Sequence, residues 1–542
     1  MTNAEGVWLL RTLLQGERAL PAPLLAATAR VREVATAAPR VARWGRWCLL
    51  FAGVAAPATL LRVWHLTSVG YNSDEAVYAG QAASLAREPA FVPFFPVFRA
   101  HPLLFQAMLS VLYRVLGFSE LAGRLLAVAF GLGTVAMVYL VGMLIYSRPV
   151  GYLAALLVGV MPYTTVVSRQ VLLDGPMMFF ATLALYLLVL FLDTGRVYWL
   201  YAAACALGLT VLTKETAILL FGGVFAFFAL SPRTLTPVRH LLGATGVFLL
   251  VALVYPASVS LSGASRSGGN FLVWQLLRRP NHSWTFYPSV LPSALGWAVL
   301  VSALLGLWFL RRTNSWREGL LVCWIAGPMV FFEIWPVKGY QYLLPVAAPV
   351  AVLAARALLA IPAGRINLRG RPVACWRLRV VAVGVCILSL VAATYVKVSA
   401  ASSSTTFLAG TGGVPRGREA GHWINEHVPE NAAILAVGPS MANIIEFYGK
   451  RTAYGLSVSP NPLHRNPVYE AIHNPDLSIR HSDLQYLVWD SFSAARTKFF
   501  SDKLLDYANR YHGRVIHTEC INAHKGGQTV CKPVIVVYQV RP

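Results

Sequence analysis

The chain has 542 residues, of which 56% are hydrophobic and only 13% charged, and its mean hydropathy is +0.57. A soluble protein carries about 25% charged residues, so this composition excludes an ordinary soluble enzyme and points to a polytopic membrane protein. A net charge of +23 would suggest nucleic acid as partner in a soluble chain, but here the arginines follow the order of the apolar segments, and no nucleic-acid partner is expected.

Residues 1–46 form a basic N-terminal arm, in which seven arginines (Arg11, Arg18, Arg30, Arg32, Arg40, Arg43, Arg46) face Glu5, Glu17 and Glu33. The arm lacks a secretory signal's apolar core and small-residue cleavage site. It reads as cytoplasmic, either as an amphipathic helix on anionic lipid or as a tail whose charge sets topology. The first span runs from about Trp47 to Leu66. A polar stretch follows, Tyr71-Asn72-Ser73-Asp74-Glu75-Ala76-Val77-Tyr78. Two adjacent carboxylates at a membrane boundary are costly unless solvated, paired or used. The segment Phe91 to Phe98 is too rich in proline for a spanning helix and aromatic enough to lie at the interface. The apolar run 102–118 is short for a span, which needs about 20 residues, so it is expected to lie on or partly in the membrane.

Ten further spans are expected, at 121–145, 151–168, 175–192, 197–213, 216–230, 239–258, 289–310, 318–335, 342–361 and 379–398. With the first they make about eleven. The loops on one side then carry Arg148, Arg196, Arg233 with Arg239, Arg311 with Arg312 and Arg317, and five arginines from Arg365 to Arg379. The positive-inside rule puts that side, and the N-terminus, in the cytoplasm. The opposite loops are near charge balance, with Arg169 beside Asp174, Lys214 beside Glu215 and Glu333 beside Lys338. The loop 259–288 is the exception, since Arg266, Arg278 and Arg279 meet no acid there. An odd span count places the C-terminus outside.

Residues 400–542 alternate short helical and strand patterns, which suggests a small extracytoplasmic α/β domain. Helices are expected at 419–427, 443–448 and 503–511, strands at 433–437, 484–489 and 534–540, and a Ser/Thr/Gly-rich linker at 400–413. The seven cysteines form neither a CxxC pair nor a Cys/His metal spacing. Cys520 and Cys531 flank a segment whose Lys-Gly-Gly core signals a turn. They are expected to face each other across a hairpin and to pair in an oxidising compartment.

Several outward loops carry chemistry-bearing residues. Ser168-Arg169-Gln170-Val171-Leu172-Leu173-Asp174 sits between two spans, where Arg169 and Asp174 either bridge each other or serve a site. The stretch from Arg278 to Pro288 joins cations to His282, Trp284 and other aromatics, and arginines recognise phosphate by forked hydrogen bonds. Lys338 and Tyr340 open a later span. No GxGxxG, P-loop or HExxH pattern is present, so soluble nucleotide chemistry is not suggested.

The order of these motifs resembles the GT-C glycosyltransferases of family 39, the protein O-mannosyltransferase group, and the related aminoarabinose transferases of lipid A. The residues that carry the resemblance are Asp74-Glu75, His101-Pro102-Leu103-Leu104, Arg124, Ser168-Arg169 with Leu172-Leu173-Asp174, and Leu212-Thr213-Lys214-Glu215-Thr216. The family's second proline after His101 is replaced by Leu103. No counterpart of the β-trefoil insert of eukaryotic protein mannosyltransferases is found, which favours a bacterial enzyme of the inner membrane.

The resemblance implies an inverting transfer of a sugar from a polyprenyl-phosphate donor to an acceptor hydroxyl on a glycan, lipid or protein, at the outer face. Phosphate is already a good leaving group, so cations suffice for it, and the acceptor hydroxyl needs a carboxylate base. Asp74 is expected to be that base, with Glu75 orienting loop or acceptor and Asp174 supporting the site. Arg169, His101, Arg278, Arg279 and Lys338 are candidates for the donor phosphate, and Tyr78, His282, Trp284 and Tyr340 for substrate contact. No cofactor is required, although Asp74, Asp174 and His282 offer ligands for a divalent metal. A flippase or transporter of lipid-linked sugars is the alternative. It should place polar or broken segments at mid-membrane depth, whereas here the ionisable residues gather at one edge.

Overall fold

A computed structural model describes residues 40–97, 101–231, 236–262, 274, 280–310, 315–361, 365–368, 371–399, 413–461, 464–466, 468–525 and 528–542. The N-terminal arm up to residue 39, the linker 400–412 and the pair Arg278–Arg279 lie outside the described residues. Ala55–Pro542 form one compact unit, and Met1–Val54 form another, of which only the start of a helix is described.

Apolar helices make up most of the chain up to residue 398. Those at Glu120–Ile145, Asp174–Thr194, Val238–Leu261, Tyr340–Ala360 and Cys375–Val398 are long and apolar enough to cross a membrane, and shorter apolar helices lie at Ala52–Val63, Leu104–Leu116, Arg148–Val160, Val197–Thr213 and Glu215–Leu230. Every range expected to span coincides with a helix or a broken helix pair.

Two breaks were not foreseen. The segment 289–310 is not one helix but two, Phe286–Leu295 and Trp297–Leu310, set at 103°. Pro292 lies in the first, and Gly296 joins them at φ +90°, where a Cβ would meet Leu390 at 2.5 Å. Only glycine adopts that backbone freely in so little space. The other break is at Met161, which separates Arg148–Val160 from Pro162–Val167. Pro162 cannot donate to the preceding turn, and it disfavours a helical Met161.

Residues 413–542 fold around a mixed five-stranded sheet. Its strands are β3 (Ile434–Ala436), β4 (Ala453–Gly455), β5 (Tyr486–Asp490), β6 (Arg514–Lys525) and β7 (Gln528–Gln539) in the order β4-β3-β5-β7-β6. A separate two-stranded pair, β1 (Arg365–Leu368) and β2 (Arg371–Ala374), precedes them. Strand β3 runs parallel to β4 and β5, and β7 runs antiparallel to β5 and β6. Leu435, Ile479, Leu484, Leu487, Leu504 and Val540 form the core on one face. The short continuous apolar runs in β5 and β7 made them legible. Strand β4 is too short to show a period-two pattern.

Cys520 and Cys531 form a disulfide with their Cα atoms 5.4 Å apart. They pair diagonally rather than face to face. Cys520 stands opposite Pro533 and Asn522 opposite Cys531, after an irregularity between Glu519 and Cys520.

The sheet domain is tied to the loop that follows the first helix. Phe447 packs against Tyr71, Phe91, Phe95 and Phe118 with ring centroids 5.1 to 6.0 Å apart. Phe91 and Phe95 are buried here rather than lying at a lipid interface. The Lys450 ammonium sits over the Phe91 ring, and its burial pushes it down to about 7. Arg418 reaches Glu120 at 3.7 Å and donates to the Thr67 carbonyl at 3.0 Å.

Candidate active site

The adjacent carboxylates begin the helix Ser73–Leu85. Asn72 caps it, its side-chain oxygen accepting from the amides of Asp74 at 2.9 Å and Glu75 at 3.0 Å, while Glu75 accepts from the Asn72 amide at 3.1 Å. This reciprocal cap fixes where the helix starts, and two acids in the first turn suit the helix dipole. Consecutive helical side chains face different ways, so the neighbours part. Glu75 turns inward and is 2% exposed. It takes two 3.2 Å bonds from Arg124 and one of 3.0 Å from the Val171 amide. Arg124 donates its remaining protons to the carbonyls of Leu66, Val69 and Gly70. Glu75 therefore holds the loop and does not reach the cavity that Asp74 lines.

That cavity encloses about 880 Å³. Its polar end gathers Asp74, Tyr78, His101, Asp174, Lys214 and Glu215. Two pairs organise them, the first buried and the second half-buried. Lys214 donates to both oxygens of Asp174, at 2.8 and 3.0 Å, and His101 Nδ1 lies 3.0 Å from Glu215. Asp174 opens the helix Asp174–Thr194, and Lys214 closes Val197–Thr213. Their pairing clamps the ends of two antiparallel neighbours. The ring of Tyr78 meets that of His101 edge-on at 5.9 Å. Burial pushes the Tyr78 phenol well up, and the carboxylates of Asp74, Asp174 and Glu215 add to the effect.

The rest of the wall divides in two. One part is apolar, with Ile218, Leu219, Phe248, Leu253, Phe331 and Trp335 among its residues. The other comes from the sheet domain, where Ser457, Ser459, His464, Arg465, Asn466 and Tyr469 enter from the segment after β4. Arg496 stands in the electrostatic reach of Asp74. Burial lowers this guanidinium, and the Asp74 charge draws it back up. His282 is lowered by burial first and then by the charges of Arg496 and Lys338, so the three side chains share a neighbourhood.

Several residues singled out in the sequence are engaged elsewhere. Arg169 does not bridge Asp174. It donates to the carbonyls of Leu61 at 3.0 Å and His65 at 3.1 Å, capping the end of the helix that closes at Val63. Lys338 is buried, bonded to the Phe332 and Glu333 carbonyls and 3.6 Å from the Glu333 carboxylate. Its backbone carbonyl and amide are bracketed by Asn281. His282 stacks on Phe286 at 4.1 Å, Trp284 is 65% exposed, and the carbonyl of Tyr340 accepts from Tyr163. None of these lines the cavity, whereas Tyr78 and His101 do.

Among the described residues no group of three His, Cys, Asp or Glu side chains is placed to hold a metal ion. Asp74, Asp174 and His282 form no such set. Sequence reasoning missed Lys214 and Glu215 as site residues, although two charges between apolar runs were signal enough. For Arg465 and Arg496 the sequence offered no signal.

Comparison with known proteins follows the same division. Residues 100–256 match the family described as dolichyl-phosphate-mannose-protein mannosyltransferase. An undecaprenyl phosphate-alpha-4-amino-4-deoxy-L-arabinose arabinosyl transferase of Pseudomonas fluorescens is 26% identical over 245 residues, which are 42% of this chain and 44% of the relative. The chain thus spans less than half the length of the curated relatives it matches. The crystal structure of ArnT from Cupriavidus metallidurans in the apo state superposes at a TM-score of 0.67 and 16% identity, covering 92% of this chain and 98% of that one. The chain has the GT-C glycosyltransferase fold of the aminoarabinose-transferase type. The same ArnT bound to undecaprenyl phosphate gives a TM-score of 0.67 over 91% of this chain, at 16% identity. The apo oligosaccharyltransferase of Archaeoglobus fulgidus gives 0.59 at 13% identity, covering 90% of this chain and 74% of its own.

Proposed function

We propose that this protein is an inverting glycosyltransferase of a bacterial plasma membrane, moving a sugar from a polyprenyl-phosphate donor to an acceptor hydroxyl. One observation carries the reading: a single cavity joins a carboxylate- and cation-lined end to a long apolar wall. A donor made of a sugar phosphate on an isoprenoid chain has those two halves. The curated relatives act from undecaprenyl phosphate, and a neighbour of the same fold is known with undecaprenyl phosphate bound.

In this reading Asp74 takes the proton of the acceptor hydroxyl as the oxygen attacks the anomeric carbon. The bond from that carbon to the phosphate oxygen breaks, and polyprenyl phosphate leaves with the electron pair. Attack from the face opposite the leaving group inverts the anomeric centre. Asp174 is held by Lys214, and Glu215 lies against His101. Their role is to set Lys214 and His101 in place, where the positive ends meet the developing phosphate charge. Whether the sugar is a hexose or a pentose is left to the pocket around Tyr78.

The proposed topology has eleven spans, with the N-terminus in the cytoplasm and residues 413–542 outside, and the arginine distribution supports it. The Cys520–Cys531 disulfide suits that side. The deciding experiment uses purified protein in detergent with candidate undecaprenyl-phosphate sugars, and measures release of undecaprenyl phosphate that depends on an acceptor. Binding of donor with no release, from every donor tried, would favour a carrier over an enzyme. A reporter fused after residue 366 should read cytoplasmic and one after Pro542 extracytoplasmic; matching labels would overturn the topology.

A further inference from the structure

The cations that line the cavity differ in one respect. Lys214 is held by both oxygens of Asp174, and His101 by Glu215. Arg465 is half-buried, lines the same cavity, and has no acidic partner among the described residues. Of the other candidates among the described residues, Arg169 is spent on backbone carbonyls and Lys338 on carbonyls and Glu333. A guanidinium in a part-closed cavity with no acidic partner among the described residues is prepared for an anion from outside the protein. Its planar fork matches two oxygens of a phosphate. Ser457, Ser459 and Asn466 line the same stretch of wall and offer further donors.

We propose that Arg465, from the sheet domain, binds the phosphate group of the lipid-linked donor. This rests on the transferase reading above and adds to it that the sheet domain supplies part of the donor site. The phosphate would then lie between a guanidinium from residues 413–542 and the Lys214 and His101 side of the helical part, with the isoprenoid along Ile218, Leu219, Phe248 and Leu253. An anionic acceptor presents the same oxygen chemistry, so the test separates the two sources.

The test titrates undecaprenyl phosphate, undecaprenol and inorganic phosphate into the full-length protein in detergent micelles, followed by tryptophan fluorescence; Trp335 lines the cavity. Arg465→Ala should weaken undecaprenyl phosphate binding about tenfold or more. It should leave undecaprenol binding and the thermal midpoint unchanged. Arg465→Lys, which keeps the charge without the fork, should recover part of the loss. Unchanged undecaprenyl phosphate binding in Arg465→Ala overturns the proposal, and so does a rise in the acceptor KM alone, which would assign Arg465 to the acceptor. An equal loss of undecaprenol binding overturns it as well, because the effect would then be structural. The binding readouts need no turnover. A protein that binds undecaprenyl phosphate through Arg465 yet transfers no sugar sinks the transferase reading and leaves this one standing.

Discussion

The backbone amide of Tyr71 donates to the hydroxyl of Tyr448 at 2.8 Å, across 377 residues of sequence. Two residues on, Ser73 accepts a 2.8 Å bond from Asn443. The loop that leads into Asp74 is therefore fastened at two points by the sheet domain. Tyr448→Phe removes one buried acceptor and leaves the Tyr71 amide unsatisfied, at a cost of about 1–3 kcal/mol. Transfer should fall several-fold with a lowered thermal midpoint, both measured on purified protein. Full activity would show that the loop holds its shape without this bond.

The two neighbouring acids should give opposite phenotypes. Asp74→Asn keeps shape and fold but removes the proposed base, so transfer should drop about 100-fold or more at an unchanged melting temperature. Glu75→Gln leaves Arg124 buried without its counter-charge and should cost about 3–5 kcal/mol of stability. The pair is compared by thermal unfolding beside a turnover assay. A stable, active Glu75→Gln protein would contradict the structural role given to Glu75.

The Asp174–Lys214 pair gives a third prediction. Lys214→Met strands a buried carboxylate and should destabilise by about 3–5 kcal/mol. Adding Asp174→Asn should restore most of that stability, since removing both charges is often close to neutral. Activity should stay low in the double variant. Recovery of turnover along with stability would mean that the pair only clamps two helices.

Asp490 sets a pH dependence in the sheet domain. One of its oxygens accepts from the Ser493 amide at 2.7 Å, while the other is buried without a hydrogen-bond partner among the described residues. Burial raises its carboxyl from 3.8 to about 6. The folded state therefore holds a proton that the unfolded state has released between those values. The resulting stabilisation is complete below pH 3.8 and is lost as pH rises through about 6. Between pH 5 and 7 the loss should be roughly 1 kcal/mol. Asp490→Asn, which keeps the cap, should remove that slope from the unfolding curves. An unchanged slope would show that another group titrates.

Breaking the Cys520–Cys531 bond frees a loop with a sequence separation of 11. The Cys520→Ser, Cys531→Ser protein should lose up to about 3 kcal/mol in the sheet domain by the chain-entropy model. Turnover per folded molecule should be unchanged, since neither cysteine lines the cavity. Alkylation without reductant should leave both positions of the unaltered protein unlabelled.

The helical part was legible because each span is a long apolar run bounded by charges or turns, and burial in lipid leaves the backbone little choice but helix. Asp74, Tyr78, His101 and Asp174 were legible because polar groups beside such runs stand out. Only the direction of each side chain in the first helical turn separates Asp74, which lines the cavity, from Glu75, which holds the loop. The failures lie elsewhere. Arg169 looked suited to Asp174 from five residues away, but the chain between them turns into a new helix, and Lys214 arrives from the next one. Arg465 and Arg496 come from a domain whose approach to the cavity depends on packing around Phe447, which no local pattern records.

The cavity wall runs from Asp74 to Tyr469, and this order of assembly matters during synthesis. A ribosome that has delivered every apolar helix has still not made the segment that closes the chamber. Until the strands and helices after residue 413 fold and dock on Tyr71 and Phe91, the acidic end of the cavity stays open to water. The nascent protein thus carries most of the fold well before its chamber is complete, and a truncated product keeps only part of the chamber.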